Sequence, residues 1–288
     1  MTPMIKWSLL AIGLSALPVT AQAHRQWMLP SATVLSGTGN DVWVTVDAAV
    51  SNDLFYFEHF PVRIGNLGSA SPDLTGGRGR AAQLAITAPD GSAVEHKNGN
   101  MGRYRTTFDF PVTQKGTYKV ALTNTGAFAS YKQGGQTKRW SGDAAEFVKN
   151  VPADTQDLRG TFIQSRLEIF VTSGKPSRET LKLTGQGLEL DPITHPNDLV
   201  AGTASSFRMM LDGKPAAGIE IEIVPGGNRY RDKLGDFKVK TDAEGKFSVA
   251  WPEPGMYWIE ATARDDKTPV AAVKQRRAAY IATLEVLP

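Results

Sequence analysis

The chain has 288 residues and no cysteine, which excludes both a disulfide framework and a thiolate metal site. Its 32 Lys+Arg face 29 Asp+Glu, a near balance that gives no general case for nucleic-acid binding. At that length the chain accommodates two domains of ordinary size.

Taken in chain order, residues 1–23 carry the three parts of a secretory signal. Lys6 is followed by an apolar run from Trp7 to Leu17 and by the small-x-small site Ala21-Gln22-Ala23. The run is short of the ~20 residues a membrane span needs. The expectation is export by the general route, cleavage after Ala23 and a periplasmic mature chain that does not insert in a membrane. Of the basic side chains only Lys6 is lost, leaving 31 against 29 acids.

Period-two alternation dominates the mature chain. "DVWVTVDA" places Val42, Val44 and Val46 on one face, and "YRTTFDFPV" does the same for Tyr104, Thr106, Phe108 and Phe110. "GTYKVALT" aligns Tyr118, Val120 and Leu122, while "RLEIFVTSG" aligns Leu167, Ile169 and Val171. Short alternating runs bounded by Gly, Pro, Asp and Asn are the pattern of antiparallel sandwiches. Residues 126–160 run long without that alternation and are expected as an insertion. Within it "SGDAAEFVKNV" (141–151) predicts one short helix with Ser141 as its cap. Gly185, Gly187, Pro192 and Pro196 mark a break near 186–192. The predicted fold is all-β, two Ig-like or transthyretin-like antiparallel β-sandwiches in tandem, over 24–188 and 189–288.

The second half is similar to the transthyretin-like, carboxypeptidase-regulatory-like sandwiches. It carries their G-x-P-x-x-G at Gly213–Gly218, T-D-x-x-G-x-F at Thr241–Phe247 and P-G-x-Y at Pro254–Tyr257. Asp242 and Glu244 are read as turn residues, since calcium needs six to eight oxygens.

Four histidines are the chemistry available: His24, His59, His96 and His195. His96 in "VEHKNGN" reads as a solvated hairpin residue, and His195, near Pro192 and Pro196, as a support for the domain junction. "NDLFYFEHFP" predicts a strand with Phe55, Phe57 and His59 on one face. Cleavage after Ala23 makes His24 the first residue, with an α-amine and a ring nitrogen that chelate one metal. An α-amine has a reference pKa of ~7.7–8.0, low enough for a metal to displace its proton near neutrality. One further imidazole, from His59, completes a three-nitrogen histidine brace, a set that suits Cu(II) or Ni(II). Met28, Asp47, Asp53 and Glu58 are available as extra ligands. "GGRGR" (76–80) lacks the features of a phosphate loop, and "NRYRDK" (228–233) reads as a basic hairpin tip.

Five stretches, "AHRQWMLPS", "NDLFYFEHFP", "YKQGGQTKRW", "THPNDLVAG" and "VPGGNRYRDKLGDF", make the mature chain resemble the domain-of-unknown-function 4198 family. That resemblance implies a periplasmic component of cobalt- or nickel-type metal uptake, with a membrane metal transporter or receptor as partner. The expectation is a non-enzymatic protein that binds nickel, cobalt or copper, free or chelated, through His24 and His59. Two other readings stand beside it: an envelope interaction module without metal, and a brace-type copper oxygenase.

Overall fold

The computed structural model describes residues 24–39, 41–67 and 80–288. The proposed signal (1–23) and residues 76–79 of the "GGRGR" stretch lie outside it. Ten strands come from the first half: β1 (Arg25–Pro30), β2 (Val34–Leu35), β3 (Trp43–Ser51), β4 (Phe60–Pro61), β5 (Gln83–Thr87), β6 (Lys97–Met101), β7 (Thr106–Pro111), β8 (Gly116–Gln133), β9 (Gln136–Gly142) and β10 (Gln156–Ser173). The second half adds β11 (Leu188–Pro192), β12 (Ala204–Leu211), β13 (Lys214–Pro215), β14 (Glu220–Pro225), β15 (Phe237–Lys240), β16 (Lys246–Ala250), β17 (Gly255–Asp265) and β18 (Arg276–Val286). The fold is an all-β sandwich architecture, as the alternation predicts.

Among the described residues three sheets are formed. The first runs β1-β3-β7-β6 with β4 beside β3, and a small one joins β11, β12, β13 and β16. Between them lies a nine-stranded sheet, β15-β14-β17-β18-β10-β8-β5 with β2 and β9 attached. Strands of both halves therefore belong to one sheet, joined where β10 runs parallel to β18 from Phe162↔Arg276 to Glu168↔Ala282.

Alternate side chains leave opposite faces of a strand, and here each face has its own core. Leu167, Ile169, Val171, Trp258 and Ile281 pack with Val44, Val46, Phe108 and Phe110 of the first sheet. Their neighbours Phe170, Tyr257, Ile259, Tyr280 and Ala282 pack instead with Phe207, Met209, Phe247 and Trp251 of the small sheet. The two sandwiches thus share their middle layer. Tyr104, expected beside Thr106, lies before β7 and is exposed.

Residues 126–160 correct the expectation of a strandless insertion. β8 and β10 continue through them as a ladder, and β9 folds back on β8 from Ala127↔Gly142 to Gln133↔Gln136. Gly134 and Gly135, both with positive φ (57° and 76°), make the two-residue turn. The predicted helix shrinks to a 3-10 turn at Ala144–Glu146 and one α turn, α1 (Phe147–Asn150). Ser141 does not cap it; it is a β9 residue, and neither turn has a side-chain cap.

His195 is buried at the junction. Its Nδ1 accepts the Asn197 N–H at 3.1 Å, so the proton sits on Nε2, which donates to the Ser177 carbonyl oxygen at 3.0 Å. Thr117 Oγ1 also lies 3.0 Å from Nε2. Burial holds the imidazole below its ordinary pKa, against the opposing pull of the Ser177 carbonyl and Asp198; the Arg178 charge lowers it further.

A base with a depressed folded-state pKa stabilises fully above its unfolded value, ~6.5 for histidine, and loses that contribution as pH falls through the folded value. The stability difference between wild type and His195→Gln, measured by urea unfolding, is therefore expected to shrink from pH 7.5 to pH 5; a constant difference contradicts it. Gly245 (φ 74°) approaches the chain so closely that a Cβ would stand 2.5 Å from the Met209 carbonyl oxygen. Gly245→Ala is expected to cost more than ~1 kcal/mol in the same measurement.

Candidate metal centre

Two short pairings set the geometry. Val50, near the end of β3, pairs with Gln26 of β1 on one edge and with Phe60 of β4 on the other. A histidine immediately precedes each flanking strand: His24 before β1 and His59 before β4. Their rings close over the end of β3 and meet edge to face, centroids 4.5 Å apart at 84°. Phe60 stands 6.1 Å from one ring and 6.0 Å from the other.

His24 is exposed and the His59 side chain is 30% exposed, yet His59 Nε2 itself is buried and makes no hydrogen bond among the described residues. A buried ring nitrogen without a partner forfeits its solvation unless something coordinates it. Glu58 Oε1 lies 3.9 Å away, beyond hydrogen-bond reach, and accepts the N–H groups of Asn52 and Asp53 at 2.6 and 2.8 Å.

The segment carrying His59 is not the strand its alternation predicts. Between Asn52 and His59 it is a loop; only Phe60 and Pro61 pair with β3. Ser51, Asn52 and Asp53 break the ladder with their own polar groups: Ser51 Oγ donates to the Asp53 carbonyl while Glu58 takes the two N–H groups. Phe55 adopts a left-handed backbone (φ 65°). Phe55 and Phe57 nonetheless reach one target, the indole of Trp27, each at 5.5 Å. Trp27 is fully buried, and its Nε1–H donates to Ser51 Oγ at 2.7 Å. The Arg105 guanidinium covers the outer side of Phe57 at 4.6 Å.

The second half reaches the site from below. Arg25 Nη2 donates to Glu222 Oε1 of β14 at 2.8 Å, and its guanidinium lies 5.3 Å over Trp258 of β17. Trp258 Nε1–H donates to the Gln26 carbonyl at 2.8 Å. Glu260, paired in register with Glu222, has its carboxyl pushed up by burial and countered by Arg277 at 2.9 Å.

Of the extra ligands named from sequence, Met28 is fully buried in the core, Asp47 pairs with Arg105 and Thr107, and Asp53 accepts from Asn228. Glu58 alone adjoins His59. His96 lies against Phe108, 6.4 Å ring to ring, and Asp242 Oδ1 closes a turn on the N–H groups of Glu244 and Lys246. Sequence reasoning missed the "NRYRDK" segment, which is no free hairpin tip but folds against the 53–56 loop. Its signal was the Gly226-Gly227 pair, a place for close backbone approach. Among the described residues no group of three or more His, Cys, Asp or Glu side chains is placed to hold a metal.

No curated protein matches this chain. Among solved structures it is similar to the D0-D1 domain of intimin, at 12% identity over 91% of this chain and 97% of that one, with a TM-score of 0.21. It is also similar to a two-fibronectin-type-III segment of chicken tenascin, at 8% identity over 92% and 100%, with a TM-score of 0.22. Likeness at that level carries no argument about function. A family model described as Domain of unknown function (DUF4198) matches residues 21–265, most of the chain, and the protein belongs to that family.

Proposed function

We propose that this protein is an exported, periplasmic metal-binding protein that serves transition-metal uptake rather than catalysis. Cleavage after Ala23 frees the His24 amine, and the amine, the His24 ring and the His59 ring bind one divalent ion: nickel, cobalt or copper. The observation that carries this reading is the pair of imidazoles 4.5 Å apart, one of them with a buried nitrogen that finds no hydrogen-bond partner among the described residues.

The donor chemistry fits the ion. Neutral imidazole and a deprotonated amine are nitrogen ligands of the type that tetragonal Cu(II) and Ni(II) favour. Three donors leave coordination positions free, which suits a carrier that receives and surrenders its ion by ligand exchange with a transporter or receptor. Exposure of His24 at the rim gives such a partner access.

The test is isothermal titration of the mature chain beginning at His24 with Ni(II), Co(II) and Cu(II). Binding is expected to be at least tenfold tighter, ~1.4 kcal/mol, than in a chain that retains Ala23 or in His59→Ala. Affinity is expected to rise with pH as the amine gives up its proton, whose reference pKa is ~7.7–8.0. Equal affinity with and without Ala23 removes the amine, and with it the brace; no measurable binding of any of the three ions leaves the metal-free interaction module in its place.

A further inference from the structure

The loop that delivers His59 is held by the other half of the chain. Leu54, fully buried, donates its N–H to Asn228 Oδ1 at 2.9 Å, and Asn228 Nδ2–H donates to Asp53 Oδ1 at 3.2 Å. Tyr56 and Tyr230 join hydroxyl to hydroxyl, and the Arg229 guanidinium lies 4.7 Å over the Tyr56 ring. Gly226 comes so close to the loop that a Cβ there would meet the Phe55 ring at 3.0 Å.

These contacts bracket the strained residue. A left-handed conformation at a phenylalanine persists only where the surroundings over-determine it. At Phe55 they do: Asn228 fixes the residues just before it, Gly226 and Trp27 fix its ring, and Tyr230 fixes Tyr56 just after. Asn228 is itself fixed, buried at the start of a 3-10 turn (Asn228–Tyr230) that follows the left-handed Gly227. With φ of Phe55 set, the chain direction through Phe57 to His59 is set.

We propose that Asn228 is a positioning residue for the metal centre: it clamps the 53–56 loop so that the His59 ring stands against His24. The consequence for affinity rests on the function proposed above; the placement of the ring does not.

The experiment uses the mature full chain in two readouts. In metal-free protein the nuclear Overhauser contact between the His24 and His59 ring protons is expected in wild type and lost in Asn228→Ala. In Ni(II) titration Asn228→Ala is expected to lose at least tenfold in affinity, yet to cause no further loss in a His59→Ala background, because its effect passes through His59. Rescue separates positioning from general damage. Asn228→Asp keeps the acceptor for Leu54 but sets a carboxylate against Asp53, and is expected to lose the ring contact. Adding Asp53→Asn re-forms the bond between the two side chains with donor and acceptor exchanged, leaves the Leu54 bond in place, and is expected to restore the contact. This pair also serves if Asn228→Ala does not fold. An intact ring contact in Asn228→Ala, an equal loss of affinity in the His59→Ala background, or failure of the exchanged pair to restore the contact overturns the proposal. Absence of Ni(II), Co(II) and Cu(II) binding in wild type overturns the metal reading instead, and the ring contact still decides the role of Asn228.

Discussion

The ladder between β10 and β18 is the constraint on which the rest of the molecule depends. It fuses sheets that would otherwise close two separate sandwiches, and it buries the central layer on both faces. Sheets covered on both sides read as nearly continuous apolar strands, and β18 is buried at nine of its eleven positions, the two exceptions being Arg277 and Glu285. The joint is also ionic. Arg166 of β10 stands between Glu168 at 3.3 Å and Glu189 at 3.6 Å, and Tyr280 of β18 donates its hydroxyl to Glu168 at 3.0 Å. Burial, with the Glu168 charge beside it, pushes the Tyr280 phenol well above its ordinary range, so it remains a donor. Glu189 in turn takes the N–H groups of Thr184, Gly185 and Gln186. Such a cluster contributes little net stability, but removing one member strands buried charge. Its members come from β10, β11 and β18, so it ties the two halves together at the ladder.

A fixed register matters because the histidine pair has supports on both sides of the joint. β1 is laid down on β3 but tied to β14 and β17 through Arg25 and Gln26; the His59 loop is laid over Trp27 but tied to the 226–230 turn. Were the halves free to swing on a linker, each tie would have to be won against that freedom. With a common sheet the entropy is spent once, in the ladder, and the site inherits its rigidity.

Much of the first core was legible because alternation reports which side chains share a face. Val44, Val46, Phe108, Phe110, Leu167 and Ile169 all fall in the core where period two puts them. Alternation does not report which strand lies alongside, so the sharing of the middle layer was invisible. The hint was "MYWIEATA", where Tyr257, Trp258 and Ile259 are apolar in succession, the mark of a strand buried on both faces. In 126–160 the small residues Gly126, Ala127 and Ala129 weakened the pattern, although Gly134-Gly135 announced a hairpin. At 52–59 the aromatic residues imitated a strand, since a single left-handed residue brings Phe55 and Phe57 to one side by another route. His24 and His59 were singled out by the chemistry of a terminal amine and an imidazole; their proximity depends on the β3 register, which no local pattern contains.

Those long-range ties have a temporal side. Arg25 meets Glu222 across 197 positions, Gln26 meets Trp258 across 232, and Leu54 meets Asn228 across 174. A chain made from its amino end presents His24 first and the groups that seat it only near completion, and contacts of that separation form slowly. The ties that seat the ring pair therefore need a nearly complete chain. Under the function proposed above, an ion arriving early would meet a histidine and a loop that the second half does not yet hold, so secure capture would be reserved for finished molecules and loading would double as a report that folding is complete.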